Sequence, residues 1–417
     1  MNNTIKLAVA AALLAGASSA NAGIMIPAGD WTLDIGGIVN TYYTHTNHSG
    51  TNHGAGYGGA LFTSANGFDG GGGNESVANI TTGLLPNYLS VSGKTRQNDL
   101  DVGFTISINP GSSTSAAGIQ SANQENRQAF LTFGDKSWGS VKVGKDLGIF
   151  ASDAILNDMT LLGVGSGAGG LAGNTTTTGR IGTGFMYADW KSQIAYSSPN
   201  WNGFSFTAGV TQAWDAIAVG SVGGTATSNQ RGGSQPAFEG KASYEWAGDV
   251  GGKVWVSGIS QKVENLSSTT AVGGRTNERA DAFDIGTTVN VAGFGLTGYY
   301  YNGQGIGQTV LLNHGFDATG QARDSDGWYV QGTYTVPGAG TKLGVSYGQS
   351  TLDGNAADTV LSELKDSMWT VGAYHPITKH LNLVAEYSDV RSEYQRKVLS
   401  TQEAKAKTVS LGAILFF

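Results

Sequence analysis

Sixteen stretches of this sequence alternate apolar and polar residues at period two, and that pattern limits the possible folds more than any other feature. In residues 31–43, Trp31, Leu33, Ile35, Gly37, Val39, Thr41 and Tyr43 alternate with Thr32, Asp34, Gly36, Ile38, Asn40 and Tyr42. In residues 327–336, Trp328, Val330, Tyr334 and Val336 oppose Tyr329, Gln331, Thr333 and Thr335. Phe283, Ile285, Val289 and Val291 likewise oppose Asp284, Gly286, Thr288 and Asn290. Each stretch reads as a strand with one oily and one wet face. The sixteen run roughly over 30–46, 86–95, 98–109, 126–134, 138–145, 186–198, 203–214, 236–247, 250–263, 279–291, 293–303, 325–336, 340–351, 366–375, 380–392 and 403–417. After residue 22 no run of about 18 apolar residues occurs, so no transmembrane helix is available. If such a chain enters a bilayer it must close into a barrel, the one strand form that pairs every backbone N–H and C=O.

Loop length separates by parity. Connections after even-numbered strands are short: 95–98, 134–137, 199–203, 247–250, 291–293, 337–340 and 377–380. Those after odd-numbered strands are mostly long and rich in Gly, Ser, Thr, Asn and Asp, the longest near 47–85, 146–185, 215–235 and 304–324. A soluble sandwich has no reason to sort loops this way. An up-and-down barrel threaded through a membrane does, with short turns on the periplasmic side and long loops outside. Val409, Leu411, Ala413, Leu415 and Phe417 form an apolar stripe that ends the chain, and Lys405 and Lys407 continue it toward the lipid headgroups. Trp190, Tyr196, Trp201, Phe204, Trp246, Phe294, Tyr300, Trp328, Tyr334, Trp369 and Tyr387 suit interfacial girdles. The reading is all-β: a sixteen-stranded antiparallel transmembrane β-barrel.

Composition removes several function classes. The chain has no Cys, which excludes a disulfide scaffold, a thiolate metal site and a Cys nucleophile. Charged residues are only 13 % without strong hydrophobicity, which excludes a disordered chain. Residues 1–22 read as a cleaved signal peptide: a basic start at Lys6, an apolar stretch from Leu7 to Ala17, and an Ala20-Asn21-Ala22 ending. Their removal takes the formal charge from −7 to −8 and leaves residues 23–417 as the barrel, bound for the cell outer membrane. No basic footprint for nucleic acid is present. The acidic balance favours mild cation preference, weakened by screening beyond roughly 8–10 Å.

Several segments, in order, carry a resemblance. They are Arg127 to Leu131, Trp138 to Lys145 with Gly139 and Gly144, Asn157-Asp158-Met159, Ile194 to Phe204 with Pro199 and Trp201, and the terminal Phe417. With them the whole mature chain resembles the general-diffusion porins, the sixteen-stranded trimeric channels of the Gram-negative outer membrane. The resemblance implies that the third long loop, residues 146–185, folds inward and narrows the pore. It implies a transverse field between loop carboxylates and basic wall residues, a homotrimer, and contact with outer-membrane lipid and lipopolysaccharide. Lys145 takes the place of a wall arginine, Asp158 matches the loop aspartate before Met159, and Asp153 lies earlier on the same loop. Two other wall positions that are often basic are Tyr88 and Ser197, and residues 161–169 hold no carboxylate, so the expected constriction is less charged than the family norm.

Alternation alone nominates further pore-lining charges: Asp34, Lys142, Lys191, Glu239, Lys241, Glu245, Asp284, Lys342 and Glu386. They hydrate the channel and bias ions, or they pair into salt bridges that stiffen the wall. Gly163 to Gly167 and Gly70 to Gly73 lack the helix start and Lys-Ser/Thr of a phosphate cradle. His45, His48 and His53 cluster in the first long loop, where imidazoles at such spacing suit a divalent metal, but no carboxylate shell supports one. No histidine lies mid-wall beside a serine, so an outer-membrane hydrolase is disfavoured and no enzyme or cofactor is expected. The expected function is a water-filled channel for passive diffusion of ions and small hydrophilic solutes. The rivals are a substrate-specific channel of the same fold, a non-conducting barrel serving as adhesin or receptor, and a soluble secreted all-β protein.

Overall fold

The structure is a computed structural model, and it describes residues 23–50, 76–112, 124–170, 176–215, 234–264, 266 and 276–417. The signal-peptide reading of 1–22, His53 and the glycines at 70–73 lie outside the described residues. Eighteen hydrogen-bonded segments form one sheet. Two of them extend other strands, which leaves sixteen. These are β1 (Trp31–Gly50), β2 (Tyr88–Gln97), β3 (Leu100–Ile108), β4 (Ala129–Asp135), β5 (Gly139–Leu147), β6 (Trp190–Ser197), β7 (Phe204–Thr211) and β8 (Ala237–Trp246). They continue with β9 (Val250–Glu264), β10 (Asn277–Val291), β11 (Phe294–Gln304), β12 (Asp324–Thr335), β13 (Lys342–Asp353), β14 (Leu361–Pro376), β15 (Leu381–Arg396) and β16 (Gln402–Phe416). Each pairs antiparallel with the next, and β16 pairs with β1 from Ile38↔Phe416 to Gly50↔Ala404, so the sheet closes. Closure leaves no sheet edge unpaired.

Both chain ends share one seam. Ile24–Ala28 pairs with Trp31–Ile35 of β1, directly beyond the point where β16 stops. Gly37 N–H donates to the Phe417 carbonyl at 2.8 Å, and Phe417 N–H returns a bond to Gly37 at 3.0 Å. The last turn of the barrel wall is therefore completed by the N-terminal segment. Ser76–Thr81 extends β2 in the same manner, pairing with Asn47 to Tyr42 of β1.

The pleat sorts the residues as the alternation predicts. Ile285, Val330 and Leu411 are exposed on the outer surface, whereas Asp284 and Gln331 are buried inside. Aromatic pairs stand at two heights. Phe294–Tyr334 and Tyr244–Trp246 lie near the short turns, and Phe283–Tyr300, Trp328–Tyr347 and Trp369–Tyr387 lie higher. Phe294 and Tyr300 are six residues apart on β11, a rise of about 20 Å, which suits the two edges of an apolar band. Trp190 departs from this belt: it lies beneath the Arg127 guanidinium, 5.7 Å from ring centre, and lines the lumen.

The interior differs from expectation. The wet face was to line an open lumen, yet the long-loop half holds an apolar cluster that includes Trp255, Ile259, Tyr299, Tyr301 and Tyr329 from the wall. Two loops fill the space against them. Residues 148–170 and 176–189, after β5, turn inward as the resemblance implies. Residues 305–323, after β11, also turn inward and bury Ile306, Val310, Leu312 and Phe316. Among the described residues no helix is long and apolar enough to cross a membrane.

Candidate pore constriction

Among the described residues, the first inward loop carries one short helix, α1 (Ser152–Leu156), and a single 3-10 turn, Met159–Leu162. A five-residue helix is not stable by itself, so the wall must hold it. Glu239 accepts from the N–H groups of Ile149 and Phe150, both at 2.8 Å, and from Thr211 and Lys191 on its other oxygen. Ala151 N–H donates to Ser257 Oγ at 3.2 Å, and that hydroxyl donates to Asp284 at 2.6 Å. Gln331 receives Met159 N–H at 2.7 Å and gives a bond to the Asn157 carbonyl at 3.0 Å. Tyr329 and Tyr42 donate their hydroxyls to the carbonyls of Ala154 and Leu162. At the loop tip, Val164 and Gly165 donate their N–H groups to Glu386 at 2.7 and 2.9 Å, and the Tyr374 hydroxyl completes that carboxylate at 2.6 Å.

Hydrogen bonds to a carboxylate contribute roughly 1.5–3 kcal/mol each. Glu239 and Glu386 are thus the strongest latches on the loop. A Cβ at Gly163 would stand 2.2 to 2.5 Å from the Glu386 carboxylate, so only glycine lets the tip come this close.

The loop's own carboxylates face inward onto protein. Burial opposes ionisation of Asp153, but Lys241 at 3.0 Å and Lys253 at 2.6 Å hold it down to about 2. Asp158 caps the 3-10 turn through Thr160 and is fully buried, 3.8 Å from Arg180. Burial raises its carboxyl above the ordinary range against the pull of Arg180. The loop at 305–323 braces this assembly from the other side. Tyr187 N–H donates to the Thr309 carbonyl at 3.0 Å. Arg323 locks the loop by donating to both oxygens of Asp358 and to the carbonyls of His314 and Phe316.

The predicted residues therefore divide. Asp34, Lys142, Lys241, Glu245 and Lys342 line the lumen cavity, which measures about 1170 Å³. Lys191, Glu239, Asp284 and Glu386 point inward but are buried as loop anchors or their partners. Asp153 and Asp158 sit on the loop as expected, with their carboxylates buried rather than presented to lumen water. Lys145 requires correction. It pairs across the sheet with Ala129 and Ser192, both exposed on the outer surface, and shares its face with Val141 and Val143. Three residues from Lys142, it points to the opposite side of the strand. Tyr88 and Ser197 do line the cavity. His45 and His48 lie within β1 on opposite faces, and among the described residues no group of His and carboxylates is placed to hold a metal.

Sequence reasoning missed Lys94, Lys253 and Arg127, which line the same cavity. Period-two reading of β2 and β9 would have found the two lysines, beside Ser90 and Ser92 and beside Trp255 and Ser257. It also missed the second inward loop. Ile306, Val310, Leu311, Leu312 and Phe316 in one segment were the available signal.

The family model for the Gram-negative porin matches residues 8–395. The chain is a Gram-negative porin. This family and fold are those of channel proteins rather than enzymes. Comparison with curated proteins gives no sequence match to this porin. Among solved structures it is similar to the outer membrane channel DcaP of Acinetobacter baumannii, at 16 % identity over 95 % of this chain and 100 % of that one, TM-score 0.65. The anion-selective porin of Comamonas acidovorans is similar at 15 % identity over 93 % and 100 %, TM-score 0.57. The trimer form of OmpT of Vibrio cholerae is similar at 14 % identity over 93 % and 99 %, TM-score 0.52. At such identities the likeness concerns the fold of this porin.

Proposed function

We propose that this porin forms a water-filled channel in the outer membrane for passive diffusion of ions and small hydrophilic solutes. The observation that carries the reading is the lumen cavity beside the inward loop, lined by hydroxyls and charges such as Ser90, Thr132, Lys142, Ser243 and Lys253. A barrel of this size is too wide for wall side chains to fill alone. The two inward loops then set the size limit, and no covalent chemistry is involved. The path runs between the constriction loop and a wall to which β1 to β13 all contribute, from Asp34 round to Lys342. Residues 1–22 serve export and are removed, so N-terminal sequencing of the mature protein should begin at Gly23.

The channel works as a homotrimer in contact with outer-membrane lipid and lipopolysaccharide. The outer faces of β16 and β1 to β5 support this, because they carry mostly aliphatic side chains: Val39, Leu89, Ile106, Leu131 and Leu411. The higher aromatic pairs lie on β10 to β15. An aliphatic sector beside an aromatic belt suits a protein contact rather than a lipid interface.

Single-channel conductance with polyethylene-glycol exclusion tests the proposal. Steady current with a size cut-off set by polymer mass is the expected result. Absence of current from folded, inserted protein would favour an adhesin or receptor. The second inward loop favours a narrower variant of the same reading, a channel with solute preference.

A further inference from the structure

The lumen charges are divided unequally between water and protein. The Lys142, Lys241 and Lys253 side chains are 32 %, 27 % and 20 % exposed, whereas their partners Asp146 and Asp153 are 8 % and 3 % exposed. Lys94 is exposed as well. It stands in one hydrogen-bonded row with Lys142, through Gly103 and Thr132, so two ammonium groups face the same level of the path with only small residues between them. Glu245 is an exposed acid of this wall, and it lies 3.2 Å from Lys253. The carboxylates are largely spent on the loop and its anchors, and the ammonium ends remain wet.

The facing wall is of another kind. Along the loop, Ile155, Leu156, Leu161 and Leu162 line the same cavity. Leu156 and Leu162 are only half-buried. A solute in this path meets cations on one side and hydrocarbon on the other. An anion gains from the first and a small apolar body from the second. A cation meets exposed ammonium groups, while the loop carboxylates that border the cavity, Asp153 and Asp158, are buried against Lys241, Lys253 and Arg180.

We propose that this channel prefers small organic anions, carboxylates with an apolar body, with Lys94 and Lys142 setting the charge preference and Leu156 and Leu162 forming the apolar wall. The inference rests on the channel reading and narrows its solute class. It runs against the formal charge of −7, which would favour cations.

The test uses the purified full-length mature protein in planar bilayers under a potassium chloride gradient at low ionic strength. The expected reversal potential has the sign of chloride preference. Lys142→Gln and Lys94→Gln should each lower the anion-to-cation ratio by up to about fivefold, because Coulomb's law gives about twofold for each ion, in opposite directions, for a unit charge roughly 8 Å away in water. Lys142→Arg should leave the ratio unchanged. Butyrate should reduce the chloride current, its neutral amide should not, and the Leu156→Ser, Leu162→Ser double variant should weaken that block. Cation preference in a conducting wild-type channel, or a ratio indifferent to both glutamine variants, would overturn this inference and leave the channel reading standing. No current from inserted protein would overturn both.

Discussion

Glu386 holds the constriction at its tip through two backbone N–H groups and one tyrosine hydroxyl. Glu386→Ala should free that tip, costing roughly 3–5 kcal/mol of local stability if the three bonds act together. The expected signs are a larger and noisier single-channel current and new protease cleavage within 160–170. Gly163→Ala should give the same pair of signs, because its methyl group would displace the carboxylate. Asp153 behaves differently with pH. Its carboxyl is held down to about 2 in the folded protein, below its unfolded value of about 3.9. Its contribution, roughly 2–3 kcal/mol, is therefore complete above the unfolded value and is lost as pH falls through the folded one. Asp153→Asn should loosen the loop at pH 7 and make no difference below about pH 2, as read by hydrogen exchange of residues 149–157. The same variant releases Lys241 and Lys253, so anion preference should rise.

Each inward loop is an element stabilised by what it touches. The first has a helix too short to persist alone and leans on wall groups from β1, β8, β9, β12 and β15. The second depends on Arg323, whose guanidinium is buried and joins Asp358 to two loop carbonyls. Truncating one partner of such a buried pair strands the other charge and costs roughly 3–5 kcal/mol. Arg323→Ala should therefore detach the loop at 305–323 without unfolding the barrel. Conductance should increase and the polymer cut-off should move to larger masses, while heat-modifiable migration on gels stays unchanged. Unchanged conductance would show that the first loop alone limits the path.

At the scale of the molecule, the barrel is fixed by closure and by the outer surface. The seam joins Phe417 to Gly37 and continues into Ile24–Ala28. Deleting Phe417 removes both seam hydrogen bonds at that position, and folding into detergent micelles should slow. The aliphatic sector on β16 and β1 to β5 gives a second expectation. Leu131→Arg, together with Leu89→Arg, should convert trimers to folded monomers on native gels, whereas Val330→Arg on the opposite side should lower insertion yield without changing the oligomer. Loss of trimers in the last variant alone would move the interface to the other face.

The amino-acid order by itself determined the sixteen strands, their inward and outward faces and the parity of their loops. Period-two patterning acts locally, and lipid outside against water inside enforces it at every residue. Lys142, Lys241 and Lys342 could be placed on the lumen side for that reason, and β5 shows the limit of family likeness, since the pleat turns Lys145 outward. What only the tertiary structure decided is the use made of each inward charge. Glu239 and Glu386 became anchors because backbone N–H groups from residues 149–150 and 164–165, far away in sequence, arrive beside them. The second inward loop, the apolar half of the lumen and the unequal exposure of lysines and carboxylates arise from contacts between loops and wall. No period in the chain encodes those contacts, because they depend on where closure of the barrel brings distant segments together.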